Sequence, residues 1–487
     1  MVLNYRVIIK LVGIIIIILA SSMLPSLVVS LIYKETDVAN AFIQTIIPML
    51  ILGGLLFFKV RADSTHLKIR EGYTIVALCW IIGSILGAIP FTLSGYLPNF
   101  VDAIFETASG FSTTGASILT DIEALPKGLL FWRSYTHWLG GMGIIVFAIA
   151  LLPAIGISSY NIAKAETSGP SVGKLTPKLS DSFKILYFIY IGFTILEVIL
   201  LMLGDMNLYD ALIHTFGSVA TGGFSNYNDS VAHFNSVYIE MVITVFMFLA
   251  GINFTLYYFI LRGHWLEFFH DNELRFYLLI MGSCILLMGF NLWYNNIYDS
   301  FSDALRYSSF HSAAIMTTTG FMSADYDLWP SFSKMILLIL MFIGGSSAST
   351  SGGMKVIRIL ILLKLVKRGI ALRLHPRAII SIKLGSKPLT ADTVSAVANF
   401  SFLYFVIFFV GIILVSLENF DLLTTVSAVA ACISNIGPGF SLVGPTMNYS
   451  FFSDISKLFL ALLMLIGRLE LFTIILLFTK QFWNPDK

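Results

Sequence analysis

Residues 303–323 open with Asp303-Ala304-Leu305 and close with Thr317-Thr318-Thr319-Gly320-Phe321-Met322-Ser323. What lies between is short and largely apolar, far short of the about 20 residues that a helix needs to cross a bilayer core. The stretch must therefore dip in and return. Three others share its layout: Asp102-Ala103-Ile104 leads to Ser112-Thr113-Thr114-Gly115-Ala116, Asp210-Ala211-Leu212 to Val219-Ala220-Thr221-Gly222-Gly223-Phe224-Ser225, and Asp421-Leu422-Leu423 to Ser434-Asn435-Ile436-Gly437-Pro438-Gly439-Phe440-Ser441. They recur at intervals of roughly 100 residues, each before a long apolar run, as internal duplication would place them. One Thr-Gly pair would read as close helix packing. Four in the same layout do not.

The chemistry of these loops suits a cation. Each Asp stands where a helix should begin, capping free N–H groups and complementing the helix dipole. A helix entering from the surface aims its C-terminal carbonyls at mid-membrane, which favours positive charge there. An ion stripped of water in low dielectric needs replacement oxygens, and backbone carbonyls supply them without fixed charge. Glycine permits the φ values that turn successive carbonyls inward. Four such loops in one chain predict a complete pore for a monovalent cation within a single subunit.

The rest of the chain fits that frame. With 57% hydrophobic and 12% charged residues, a water-soluble enzyme is excluded. Apolar stretches between charge clusters predict helices at 8–33, 38–59, 73–97, 128–155, 183–204, 236–262, 276–297, 331–366, 393–417 and 451–479. The expected fold is an all-α polytopic membrane protein with four pseudo-repeats of helix, pore loop and helix around one central pore. Two transmembrane helices precede them. The units run 1–66 for that first pair, then 67–160 with pore loop 102–120, 161–264 with 209–230, 265–385 with 302–325 and broken inner helix 331–366, and 386–487 with 420–446. The start resembles a signal peptide, but apolar sequence continues through Met23 to Ile32, long enough to span as an uncleaved helix.

Lys and Arg gather on one side of this topology, densest at Lys364, Lys367, Arg368, Arg373, Arg377, Lys383 and Lys387, so both termini are expected in the cytoplasm. The opposite side carries Asp102, Glu106, Asp121, Glu123, Asp210, Asp303, Asp421 and other acids, which concentrate cations at a vestibule or simply cap and solvate short loops. Cys79, Cys284 and Cys432 lie singly in apolar runs and read as packing residues.

Gly344-Gly345-Ser346-Ser347-Ala348-Ser349-Thr350-Ser351-Gly352-Gly353 interrupts an apolar segment. Irregular backbone at that depth requires protein or a water-filled cavity around it, which predicts a loop beneath the pore turns; a close helix crossing is the alternative. Arg468 lies well inside the last span, where a cation costs about 2.5–3.5 kcal/mol on insertion scales. It either serves the ion path, snorkels to the surface, or pairs with Glu470.

These loops resemble those of the Trk/Ktr/HKT superfamily of cation transporters, and the whole chain resembles its TrkH branch. Trp132-Arg133-Ser134 followed by Trp138-Leu139-Gly140-Gly141-Met142-Gly143, the 344–353 run continued by Met354-Lys355-Val356-Ile357-Arg358, and two helices ahead of the first repeat carry the likeness. His137 stands where that branch would have Gln, a local packing difference. The resemblance implies a potassium filter lined by Thr113, Thr114 and Gly115; Ala220, Thr221 and Gly222; Thr318, Thr319 and Gly320; and Asn435, Ile436 and Gly437. Sodium-selective plant relatives often carry serine at the first filter glycine, so Gly115 favours potassium, with rubidium alongside. It also implies that 344–353 is a gate, with Lys355 and Arg468 an electrostatic barrier beneath the filter. The implied partners are a second copy of the chain and a cytosolic nucleotide-binding ring of TrkA type, in a prokaryotic inner membrane, with no nucleic acid.

No nucleotide site belongs to this chain: Gly169-Pro170-Ser171-Val172-Gly173-Lys174 is one residue short for a phosphate loop, and Leu175 follows where Ser or Thr is required. A proton- or sodium-coupled potassium symporter is the nearest alternative, with Glu197, Glu240 and Glu470 as candidate exchanging groups, all outside the loop motif. A membrane enzyme would need converging ligands or acid-base groups, and His137, His214, His264 and His311 show no recurring ligand spacing.

Overall fold

The computed structural model describes residues 4–60, 69–143, 179–385 and 387–483. Helices α1 (Tyr5–Ser22) and α2 (Leu24–Ile32) run on as one apolar span and return through α3 (Thr36–Lys59). The two spans cross at paired glycines, where a Cβ on Gly13 would lie 2.9 Å from Gly53 O and one on Gly53 2.8 Å from Gly13 O. Small residues let backbones meet this closely in a bilayer, where lipid offers no hydrophobic drive between helices.

Four helix-turn segments follow. The first comprises α4 (Ile69–Leu93), the short α5 (Phe100–Phe111) and α6 (Lys127–Gly141). The second is α7 (Leu179–Leu203), short α8 (Leu208–Val219), then α9 (Val237–Ala250) and α10 (Phe254–Leu261). After α11 (Trp265–His270), the third is α12 (Asn272–Tyr294), short α13 (Phe301–Met316), α14 (Ser331–Ile343) and α15 (Val356–Leu374). The fourth is α16 (Ala391–Val415), short α17 (Leu422–Ser434), α18 (Asp454–Arg468) and α19 (Phe472–Ile475), and α20 (Lys480–Trp483) ends the described chain. A two-stranded antiparallel ribbon, Lys383–Leu384 with Lys387–Pro388, joins α15 to α16.

Among the described residues six helices are long and apolar enough to span, and their outward faces carry exposed apolar side chains such as Phe188, Leu279 and Phe402. The chain is a multi-pass membrane protein. The expected helices 236–262 and 451–479 are not continuous: α9 and α10 meet at 95°, and α18 and the helix after it at 114°. At the first break Gly251 ends α9 and the Asn253 side chain accepts from Thr255 N at 2.9 Å, starting a new helix. At the second, Glu470 and Leu471 take φ of 55° and 58°, left-handed values that stop a right-handed helix. The span expected at 128–155 is helical to Gly141; residues 144–155, with the Gly169–Lys174 motif, lie outside the described residues.

The short helices also correct their expected caps. Asn99, Asn207 and Ser300 cap α5, α8 and α13, three residues before Asp102, Asp210 and Asp303, which sit in the first turn. Only the fourth Asp, Asp421, is itself the cap, accepting from Thr424 N at 3.0 Å. A first-turn carboxylate still complements the dipole, so the charge is where the helix favours it although a neutral side chain makes the bond. Burial opposes ionisation of Asp421, and its bonds from Thr424 and Ser441 outweigh that, holding the carboxyl below its usual range.

Candidate functional site

The four short helices end alike. Thr113, Thr221, Thr318 and Asn435 each adopt a left-handed φ of 54°, 55°, 61° and 59°. The next N–H bonds a carbonyl five residues back: Thr114 to Ser109 at 2.9 Å, Gly222 to Gly217 at 2.7 Å, Thr319 to Ala314 at 2.8 Å and Ile436 to Ala431 at 2.9 Å. This is a Schellman ending, in which glycine normally holds the left-handed place. Three of these positions carry Thr, a β-branched residue for which that region is strained. One residue further, Gly115, Gly223, Gly320 and Gly437 have φ of 82°, 79°, 78° and 96°.

Those glycines close a ring. A Cβ on Gly115 would collide with Gly222 O, on Gly223 with Thr319 O, on Gly320 with Ile436 O, and on Gly437 it would lie 2.6 Å from Thr114 O. Each glycine therefore faces the carbonyl just ahead of the next segment's glycine, and the fourth returns to the first. All four line one cavity of about 130 Å³. The pattern also corrects the register of the second turn. There the residues matching Thr113-Thr114-Gly115 are Thr221-Gly222-Gly223, not Ala220-Thr221-Gly222, because Thr221, like Thr113 and Thr318, is the second residue past its helix and takes the left-handed φ.

Hydrogen bonds above the ring repeat its cyclic order. Arg133, on α6, forms a buried ion pair with Glu106 of α5 at 2.6 Å and donates to Ser225 O at 2.9 Å, tying the first turn to the second. Glu106 also accepts from Ile118 N at 3.0 Å. Met322 O accepts from Val231 N at 3.0 Å, joining second to third. Tyr326 donates to Gly439 O at 3.0 Å, joining third to fourth, and Tyr449 N donates to Ser117 O at 2.8 Å, joining fourth to first. The Tyr449 hydroxyl donates to Gly437 O itself at 2.8 Å. The first hairpin braces this assembly from outside, since Glu35 accepts from Lys127 N and Gly128 N at 2.7 and 2.9 Å at the start of α6.

The TrkH cation transport protein model matches residues 38–485. The chain belongs to the TrkH family. It is 36% identical to the Trk system potassium uptake protein TrkH of Salmonella typhimurium over 99% of this chain and 100% of that one. It is 35% identical to TrkG of Escherichia coli K12, again over 99% of both chains. The crystal structure of the potassium transporter TrkH from Vibrio parahaemolyticus superposes with a TM-score of 0.89 at 34% identity, covering 99% of this chain and 100% of that one. These relatives are named as transport proteins, not enzymes.

Beneath the turns, this TrkH-family chain places residues 344–355 as a folded loop between α14 and α15. Gly344, Ala348, Gly353 and Lys355 all have positive φ, and a Cβ on Gly344 would meet Gly352 O, so the loop doubles back tightly. Ser346 N donates to Gly251 O at 2.8 Å and Phe254 N to Ala348 O at 3.1 Å, seating the loop in the α9–α10 break. Glu273 accepts from Ser347 N and Oγ at 2.5 and 2.6 Å. Arg468 reaches Thr350 O at 2.6 Å and Gly140 O and Gly141 O, both at 2.7 Å, bridging the loop to the end of α6. Lys355, buried, donates to Ser351 O, while Arg358 pairs with Glu470. Glu470 is thus the partner of Arg358, and Arg468 donates to carbonyl oxygens.

Two contributors escaped the sequence reading. His137 lies with its ring against Gly222, stacked on Phe224 at 4.1 Å, with Nδ1 2.7 Å from Gly110 O. It is a wall of the ring where mere packing was expected. Gly140 and Gly141 let α6 touch both neighbouring turns: a Cβ on Gly140 would strike Phe111 O, and one on Gly141 would lie 2.8 Å from Ala220 Cβ. The Gly-Gly spacing was visible, but what it approaches was not.

Proposed function

We propose that this chain is the ion-conducting subunit of a potassium uptake system, passing K⁺ and Rb⁺ in single file through the ring of backbone oxygens. The carrying observation is the cyclic glycine-to-carbonyl closure, from Gly115 round to Thr114. A dehydrated potassium ion is held there by carbonyls of residues 113–115, 221–223, 318–320 and 435–437, in numbers that replace its water. The four short helices add their C-terminal dipoles from four sides. Below, residues 344–353 with Lys355 and Arg468 form the barrier of the closed state, a lidded path with positive charge against it. The four helix-turn segments are, on this reading, repeats of one ancestral unit with the boundaries given above.

Accumulation needs no coupled ion: 100 mV is worth about 2.3 kcal/mol per charge, roughly fifty-fold. The acids that a symporter would use lie outside the ring: Glu197 accepts from Ser218 at 2.5 Å, and Glu240 pairs with Arg306 at 3.3 Å. Both termini face the cytoplasm, where the basic stretch from Lys364 to Lys387 meets lipid headgroups or an acidic face of a TrkA-like ring. The chain acts as a homodimer with one pore per copy. The test is cation flux through purified protein in liposomes across K⁺, Rb⁺ and Na⁺. K⁺ and Rb⁺ should pass well ahead of Na⁺, and Gly115→Ser should raise the Na⁺ share. Equal flux of all three, or a reversal potential set by protons, would sink the proposal.

A further inference from the structure

The four turns match in backbone, yet they are held in two different ways. In the third, Thr318 Oγ1 accepts from Gly352 N of the loop at 2.7 Å. In the second, the Thr350 hydroxyl donates to Val219 O at 3.1 Å and lies 3.3 Å from Thr221 Oγ1. Turns two and three thus rest on loop atoms. Turns one and four grip each other: Asn435 Nδ2 donates to Thr114 Oγ1 at 2.9 Å and to Met464 O, on α18, at 2.8 Å. Thr113, the counterpart of Thr318, has no hydrogen-bond partner for Oγ1 among the described residues. All of these side chains are fully buried, so a lost partner is not replaced by bulk water.

Resting on the filter and gate reading above, we propose that the loop is also a structural half of the filter, with Thr318 and Thr350 as the positioning residues that fix turns two and three. Thr221 and Thr318 occupy a strained left-handed conformation, which persists only where the surroundings support it, and the loop contacts at Thr318 Oγ1 and Val219 O are part of that support. Displacing the loop removes the hydrogen bonds to those two turns, while the fourth, which also packs on Gly352, keeps its Asn435 bonds to Thr114 and Met464. Ion selectivity and the state of the barrier are therefore coupled through one side of the ring.

The experiment compares K⁺/Na⁺ flux ratios in liposomes for the full-length chain and four variants. Thr318→Val and Thr350→Val each lower the ratio about fivefold, the weight of one net hydrogen bond, and Thr318→Ser recovers most of it. Ser349→Ala loosens the loop only within itself, since its hydroxyl bonds Ser346 O and Ser351 Oγ at 2.6 Å; it alters total flux with the ratio held. Should Thr318→Val fail to assemble, Gly352→Ala reads the same coupling from the loop side, because its Cβ would strike Ser434 O at the fourth turn and push the loop away from Thr318. Unchanged ratios in Thr318→Val, Thr350→Val and Gly352→Ala, beside a selective wild type, overturn the coupling alone. A wild type that fails to discriminate K⁺ from Na⁺ overturns the filter reading instead.

Discussion

The upper ring of turns and the lower ring of helix breaks are built on opposite plans. Above, four stretches of unlike sequence, Thr-Thr-Gly, Thr-Gly-Gly, Thr-Thr-Gly and Asn-Ile-Gly, share one backbone path, one hydrogen bond back to the helix and one glycine contact each. Below, the second helix of every segment is interrupted differently. It stops at Gly141, bends through Gly251-Ile252-Asn253, opens into residues 344–355, or reverses at Leu469-Glu470-Leu471. On the proposed function, the main chain is repeated where the oxygens must be equivalent, and is not where a barrier moves on one side. Backbone is held constant in the first region and varies in the second.

The comparison breaks most easily at the second turn. Gly223→Ala adds left-handed strain of about 1–2 kcal/mol and an overlap with Thr319 O of about 1–3 kcal/mol, so K⁺ flux should fall about a thousandfold. Gly222→Ala carries no left-handed strain and meets the His137 ring, not a carbonyl of the next turn, so flux should fall less. If Gly222→Ala were the worse of the two, the ring would be in the other register. A smaller effect is expected outside the turns. Arg133→Ala leaves Glu106 buried without its cation and should lower stability by about 3 kcal/mol, read as an earlier unfolding transition in detergent. An unchanged transition would mean that the upper ring does not depend on its ties. In the lower ring, Arg468→Gln should raise resting K⁺ flux about tenfold, as one charge-assisted bond to Thr350 O and the fixed positive charge are lost. A fall in flux would show that Arg468 holds the path open.

How much of this could be read beforehand follows the same division. Thr-Gly turns after an Asp-led short helix announce themselves because few residue types tolerate the conformation, and loop 344–353 because ten consecutive small or hydroxyl residues interrupt an apolar run. The second turn slipped by one residue because Thr221-Gly222-Gly223 offers two glycines after one Thr, and only φ separates them. Caps were misplaced because Asn99 and Asn207 compete with acids three residues on, and both types cap helices. The breaks at 251–253 and 469–471 were missed because two or three residues scarcely lower the hydropathy of a twenty-residue window. His137 was undervalued because its neighbour Gly222 is 85 positions away in sequence.

Since the ring is cut from one polypeptide, any inherited substitution alters a single quadrant. An assembly of identical subunits would take the same change four times over, and most such changes would be ruinous. On the filter reading, Asn435-Ile436 can depart from the threonine pattern while its three neighbours keep it, so the preference among ions can drift in small steps.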